Sequence, residues 1–124
     1  MNIKAFLLVG TGGAAGSIAR YVVSFIFSKF TTGSFPLGTF TINILGSFLI
    51  GILFGLSGRN QWLQAGGMVL LASGFCGGFT TFSTFALENV SLMQKGQSVL
   101  AIIYTGLSVI IGLLLCRLGI WLTN

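Results

Sequence analysis

The residues able to do chemistry gather in one run, Gly74-Phe75-Cys76-Gly77-Gly78-Phe79-Thr80-Thr81-Phe82-Ser83-Thr84-Phe85, set inside an apolar segment. A helix crossing lipid must satisfy its own backbone, so glycine pairs and hydroxyls at that depth point to passage, binding or close packing. Hydroxyls, and the N–H groups released where a helix breaks, are hydrogen-bond donors. The ring edges of Phe79, Phe82 and Phe85 are electropositive. That set suits a small, strongly accepting anion. Carbonyls freed at the same break suit a hard cation such as Na⁺. The plainer role of the phenylalanines, packing or facing lipid, stands beside both.

The rest of the chain supplies polar stripes at helical spacing. Gly13, Ser17, Arg20 and Ser24 share one face, as do Thr39, Asn43 and Ser47, and Tyr104, Ser108 and Gly112. Beyond the glycine pair, Phe82, Phe85 and Asn89 share a face, with Thr81 and Glu88 on its flank. Four stripes imply a shared interior, built either as a pathway or as hydrogen-bond glue between helices. Arg20 is costly in a membrane unless it snorkels to the interface or lines a water-filled vestibule. Glu88 either pairs and caps locally or couples protons. It is the one acid against six bases, which disfavours a cation carrier and favours an anion.

These residues need elements to hold them. The chain has 124 residues, 54% hydrophobic, with seven charged side chains and no histidine. A soluble domain carries about a quarter charged residues, so this is an integral membrane protein with about four spans of roughly 20 residues each. Cys76 and Cys116 lie in apolar segments as small buried hydrophobes, and no Cys/His cluster suggests a transition metal. The net charge of +5 comes from scattered residues, not a patch, so no nucleic-acid partner is expected.

The pattern predicts helices over Ile3–Phe30, Leu37–Leu56, Trp62–Met93 and Ser98–Leu122, forming one transmembrane domain over residues 1–124. The first is read as a span rather than a signal peptide, being long and containing Arg20. The third is too long for one uninterrupted crossing, and a break into two half-helices is expected at Gly77-Gly78. Small-xxx-small pairs (Gly12/Gly16, Gly51/Gly55, Gly74/Gly78) predict close helix packing. With a cytoplasmic N-terminus, Lys4, Arg59 and Arg117 fall on that side and Lys29 and Lys95 opposite. So small a bias allows insertion both ways and an antiparallel homodimer, or else a modest preference for a cytoplasmic N-terminus.

The central run resembles the Fluc (CrcB) fluoride channels of bacterial membranes. So do Pro36-Leu37-Gly38-Thr39 with Asn43 and Gly46, and Gly12-Gly13 with Gly16 and Arg20-Tyr21. The resemblance covers the whole chain. It implies an all-α membrane protein of four helices, acting as an antiparallel, dual-topology homodimer in the cell inner membrane. Fluoride would leave passively through two pores, with no enzymatic step. It implies Phe82 and Phe85 as pore phenylalanines donated across the dimer, and Asn43 at a vestibule end with Arg20 nearby. Tyr104, Thr39, Ser83 and Ser108 would form the polar side of the pathway, and Glu88 matches an often acidic position. Backbone carbonyls of Gly77 and Thr80, two from each subunit, would hold a structural Na⁺. Ala86 stands where many members have serine, and Phe79 where many have leucine.

Two rival classes remain. A small proton-coupled drug antiporter, also four spans and dual topology, needs an acid in its first helix, where this chain has Arg20 and no acid. A non-transporting membrane scaffold needs no polar stripe on every helix.

Overall fold

Asn2 opens the first helix: its side-chain oxygen accepts from the Ala5 N–H at 2.9 Å, satisfying one of the donors a helix start leaves free. Helix α1 (Ile3–Phe30) ends where Thr31 turns to extended backbone. The computed structural model describes residues 2–124. Pro36, which has no N–H to lose, precedes α2 (Leu37–Ser57). Asn60 then caps the third span, its Oδ1 accepting from Leu63 N–H at 3.1 Å. That span starts as two π-helical stretches, Leu63–Gly67 and Val69–Cys76, and tightens into the short α3 (Gly77–Phe79). After an interruption, α4 (Ser83–Gln94) completes the crossing, and α5 (Ser98–Thr123) is the fourth span. Every element among the described residues is helical.

The predicted limits agree with these to within a residue or so, but the third span differs in two ways. Gly77-Gly78 does not break the helix, since Gly77 has φ −62° and ψ −38°. The break falls at Thr80, which is extended at ψ 158°, three residues after Gly77. A second irregularity, unforeseen from sequence, is Gly66 at φ 144°, a conformation nearly closed to side-chain-bearing residues. At the far end α4 stops by rule. Gly96 takes φ 77°, its N–H reaches Met93 O at 3.1 Å, and Gln97 N–H reaches back to Leu92 O at 2.8 Å.

All four spans are long and apolar enough to cross a membrane, α5 the most apolar with mean hydropathy 2.6. The chain is a multi-pass membrane protein. Large side chains such as Phe6, Leu7, Ile102, Leu113 and Trp121 face outward, as expected where lipid is the solvent. Inside, small residues do the packing. α1 lies along the third span with Gly12 and Gly16 against the backbone at Leu70, Phe75 and Phe79, while Gly74 and Gly78 face Gly12 and Gly13. α2 lies along α5, with Gly51 against Cys116 O and Gly119 against Phe48 O and Ile52 N. The predicted glycine pairs are therefore helix contacts. α4 packs on α5 through Leu92, Ala101 and Tyr104, with Phe35, Phe40 and Phe85 around them.

Candidate functional site

The break is held by side chains from other helices. In a continuous helix the Thr81 N–H would serve Gly77 O and the Thr84 N–H would serve Thr80 O. Here Thr81 N–H donates to Asn43 Oδ1 at 2.9 Å, and Thr84 N–H goes to Thr81 Oγ1 at 3.3 Å. Asn43 Nδ2 also donates to Thr81 O at 3.0 Å, so one amide takes up both backbone groups of one residue. Arg20 Nε donates to Gly78 O at 3.0 Å, tying α1 to the same turn. The guanidinium is thereby used within the span, a partner that spacing alone did not supply. Gly46 makes room: a Cβ there would overlap Thr80 Cγ2.

Beside the break lies an open groove of about 500 Å³, lined by Asn43, Gly77, Thr80, Phe82, Phe85 and Ser108 among others. Phe82 projects from it with 79% of its surface exposed. Its ring centroid is 5.9 Å from that of Phe85, which in turn lies 5.0 Å from Tyr104. Ser108 Oγ is buried without a hydrogen-bond partner among the described residues. Two other groove hydroxyls are satisfied by their own helix, Ser47 by Asn43 O at 2.8 Å and Thr80 by Cys76 O at 2.8 Å. The stripe Thr39, Asn43, Ser47 thus splits into three different uses.

A second basin, of about 350 Å³, lies between α1, the start of α2 and α4, with Ser24, Thr31, Ser34, Thr39, Thr84 and Glu88 in its wall. Glu88 accepts from Thr39 Oγ1 at 2.8 Å and from Tyr104 OH at 2.7 Å. Tyr104 is fully buried, and it connects the two cavities: its ring packs on Phe85 and its hydroxyl holds Glu88. Phe82, Phe85, Asn43, Ser108, Gly77 and Thr80 thus share the groove, while Thr39 and Glu88 share the basin. Arg20, Tyr104 and Ser83 line neither; Tyr104 is buried between the two and Ser83 is exposed at the start of α4. Two of the basin hydroxyls, Ser28 and Thr31, carry the Gly13–Ser24 spacing on to the end of α1 and are legible by extending that stripe, whereas Ser34 sits in the loop, where helical spacing gives no signal.

A family model described as CrcB-like protein, Camphor Resistance (CrcB), matches residues 7–120. The chain belongs to the CrcB family. Among CrcB relatives, the fluoride-specific ion channel FluC of Azobacteroides pseudotrichonymphae genomovar. CFP2 is 45% identical over 122 residues, covering 98% of each chain. The FluC of Gloeothece citriformis is 46% identical over 118 residues, 95% of each. That of Leptospira interrogans serovar copenhageni is 44% identical over 119 residues, 96% of this chain and 94% of the relative. The likeness spans break, groove and basin together in this CrcB chain.

Asn43→Leu tests the brace, because it removes both partners of the Thr81 backbone. Each unmet buried group costs about 1–3 kcal/mol. The variant is expected to melt several degrees lower in detergent; an unchanged melting temperature would show that Thr81 is held by something else.

Proposed function

We propose that this protein is a fluoride channel, passing F⁻ out of the cytoplasm passively and so conferring resistance to fluoride. The observation that carries the reading is the groove beside the break, where two phenylalanine rings and an unpartnered buried hydroxyl converge in a chain matching three fluoride channels along nearly its whole length. Fluoride is small and tightly hydrated, so a pathway must offer donors in place of water. Ser108 Oγ and the electropositive ring edges of Phe82 and Phe85 are such groups. Tyr104 and Thr39, holding Glu88 between them, form the polar wall leading to the basin, with Ser83 at the start of α4 and Arg20 and Asn43 bracing the turn behind it.

The working unit of this reading is an antiparallel homodimer with two pores, in the bacterial inner membrane. Phe82 stands out from its own protomer beside an open groove, as a side chain donated to a second copy would. Three bases against two on the opposite sides leave both orientations open. A structural Na⁺ fits the same turn: the Gly77 and Thr80 carbonyls have lost their helical donors and are hard oxygen ligands. Two such carbonyls from each protomer would hold it, where it would supply positive charge between the two breaks. No reacting group or energy source enters the mechanism, since fluoride moves down its own gradient.

Liposomes loaded with fluoride and containing the purified protein test this with a fluoride electrode. The expected result is rapid efflux when valinomycin relieves the charge, and none of comparable size for chloride. Proton-coupled cation flux would favour the antiporter, and no flux of either kind the scaffold. Replacing Na⁺ by N-methylglucamine is expected to lower the melting temperature of the dimer, since a ligand bound only to the folded state stabilises it by mass action. An identical melt in both salts would remove the sodium assignment.

A further inference from the structure

Past the break, α4 is joined to the preceding helix only through Thr80, Thr81 and Phe82, so hydrogen bonding along the span no longer fixes its rotation about its own axis. Rotation matters because it decides where Phe85 points. Two polar bonds tie α4 to α5, and they come from adjacent residues on each helix. Tyr104 OH donates to Glu88 Oε1 at 2.7 Å, and Thr105 Oγ1 donates to Asn89 Oδ1 at 2.9 Å. Asn89 is 7% exposed, and its Nδ2 donates to Phe85 O at 2.9 Å. Phe85 is therefore gripped twice: its ring lies 5.0 Å from the Tyr104 ring, and its carbonyl is held by Asn89.

We infer that Asn89, held by Thr105, is a positioning residue that sets the angle at which the Phe85 ring meets the anion pathway. The inference rests on the channel reading. A buried amide at this place satisfies both of its ends, one on α5 and one on the carbonyl of the residue it orients. A leucine of similar volume would fill the space and hold neither. Such a bond across membrane helices is modest in strength, so its loss loosens the ring without unfolding the bundle.

The test compares Thr105→Val, which keeps the shape and loses the hydroxyl, with Thr105→Ser, which keeps the hydroxyl. Fluoride efflux from liposomes is expected to fall by about threefold to tenfold in Thr105→Val and in Asn89→Leu. The double variant should be little worse than Asn89→Leu alone, since that substitution already removes the bond that Thr105→Val removes. Thr105→Ser should stay close to the unaltered protein. A second readout is independent of flux: ¹⁹F NMR of the protein carrying 4-fluorophenylalanine at position 85. The resonance is expected to shift or broaden in Thr105→Val and to hold in Thr105→Ser. Unaltered flux in Thr105→Val overturns the inference, and so does an unmoved resonance. Equal losses in the serine and valine variants overturn it too, by making packing the cause. Absence of fluoride flux from the unaltered protein would instead sink the channel reading, leaving the resonance to decide whether the pair orients the ring.

Discussion

Phe82→Ile and Phe85→Ile are each expected to cut fluoride efflux at least tenfold, about 1.4 kcal/mol on the barrier, while the purified protein keeps its oligomeric size. Isoleucine preserves apolar bulk and removes the electropositive ring edge, so the pair isolates the one property this reading assigns to these side chains. Stability effects separate the two positions. Phe82 is 79% exposed in its protomer, so its substitution disturbs little of the core beneath. Phe85 packs on the Tyr104 ring and on the cluster around Leu92, so its substitution costs more and needs the size check. Flux unchanged in both variants would remove the rings from the pathway, and flux lost only together with assembly would make them packing residues.

Gly16→Ala is expected to damage the fold, and Gly10→Ala to leave it intact. Both replace glycine in α1, where alanine alone would favour the helix by about 0.5–1 kcal/mol. At Gly16 the added carbon overlaps Phe75 O and lies 2.9 Å from Phe79 N and 3.0 Å from Phe75 C. These are backbone atoms and cannot rotate away, so the two helices must part. Overpacking costs typically about 1–3 kcal/mol, which exceeds the propensity gain. At Gly10 the same carbon meets nothing within 4 Å. Thermal melts in detergent should show Gly16→Ala several degrees below the parent and Gly10→Ala at or slightly above it. Equal melting temperatures would refute the close approach of α1 to the third span.

Much of the architecture was legible in the order of residues because local rules govern it. Four apolar stretches of sufficient length set the spans, and the short polar breaks between them set the loops, each acting through neighbours a few residues away. The glycine pairs were legible as contacts because helix geometry puts positions four apart on one face. What escaped was decided at a distance. A glycine pair looks like the weak point of a helix, yet Gly77 keeps helical angles. The interruption comes at Thr80 and Thr81 because Asn43, 38 positions away, captures the Thr81 backbone. Likewise Arg20 found its partner in Gly78 O, 58 positions on, rather than at a helix end. The π-helical winding before the break left no mark in the composition of Val69–Cys76. Phe82, Phe85, Asn43 and Ser108 stood out by ring chemistry and helical spacing, and the resemblance gave them pore roles; the division between self-bonded Ser47 and unpartnered Ser108 depends on packing that spacing does not encode.

The diverted N–H groups at the break have a consequence for the life of a newly made chain. Gly77 O and Thr80 O leave the helix ladder inside a span, and both residues line the open groove rather than a packed helix contact. A single copy therefore presents two carbonyls without their helical donors to whatever enters that groove, be it water, an ion or a second copy. On the dimer reading proposed above, pairing would complete that turn, so a newly made copy should withstand added protease less well before it pairs than after.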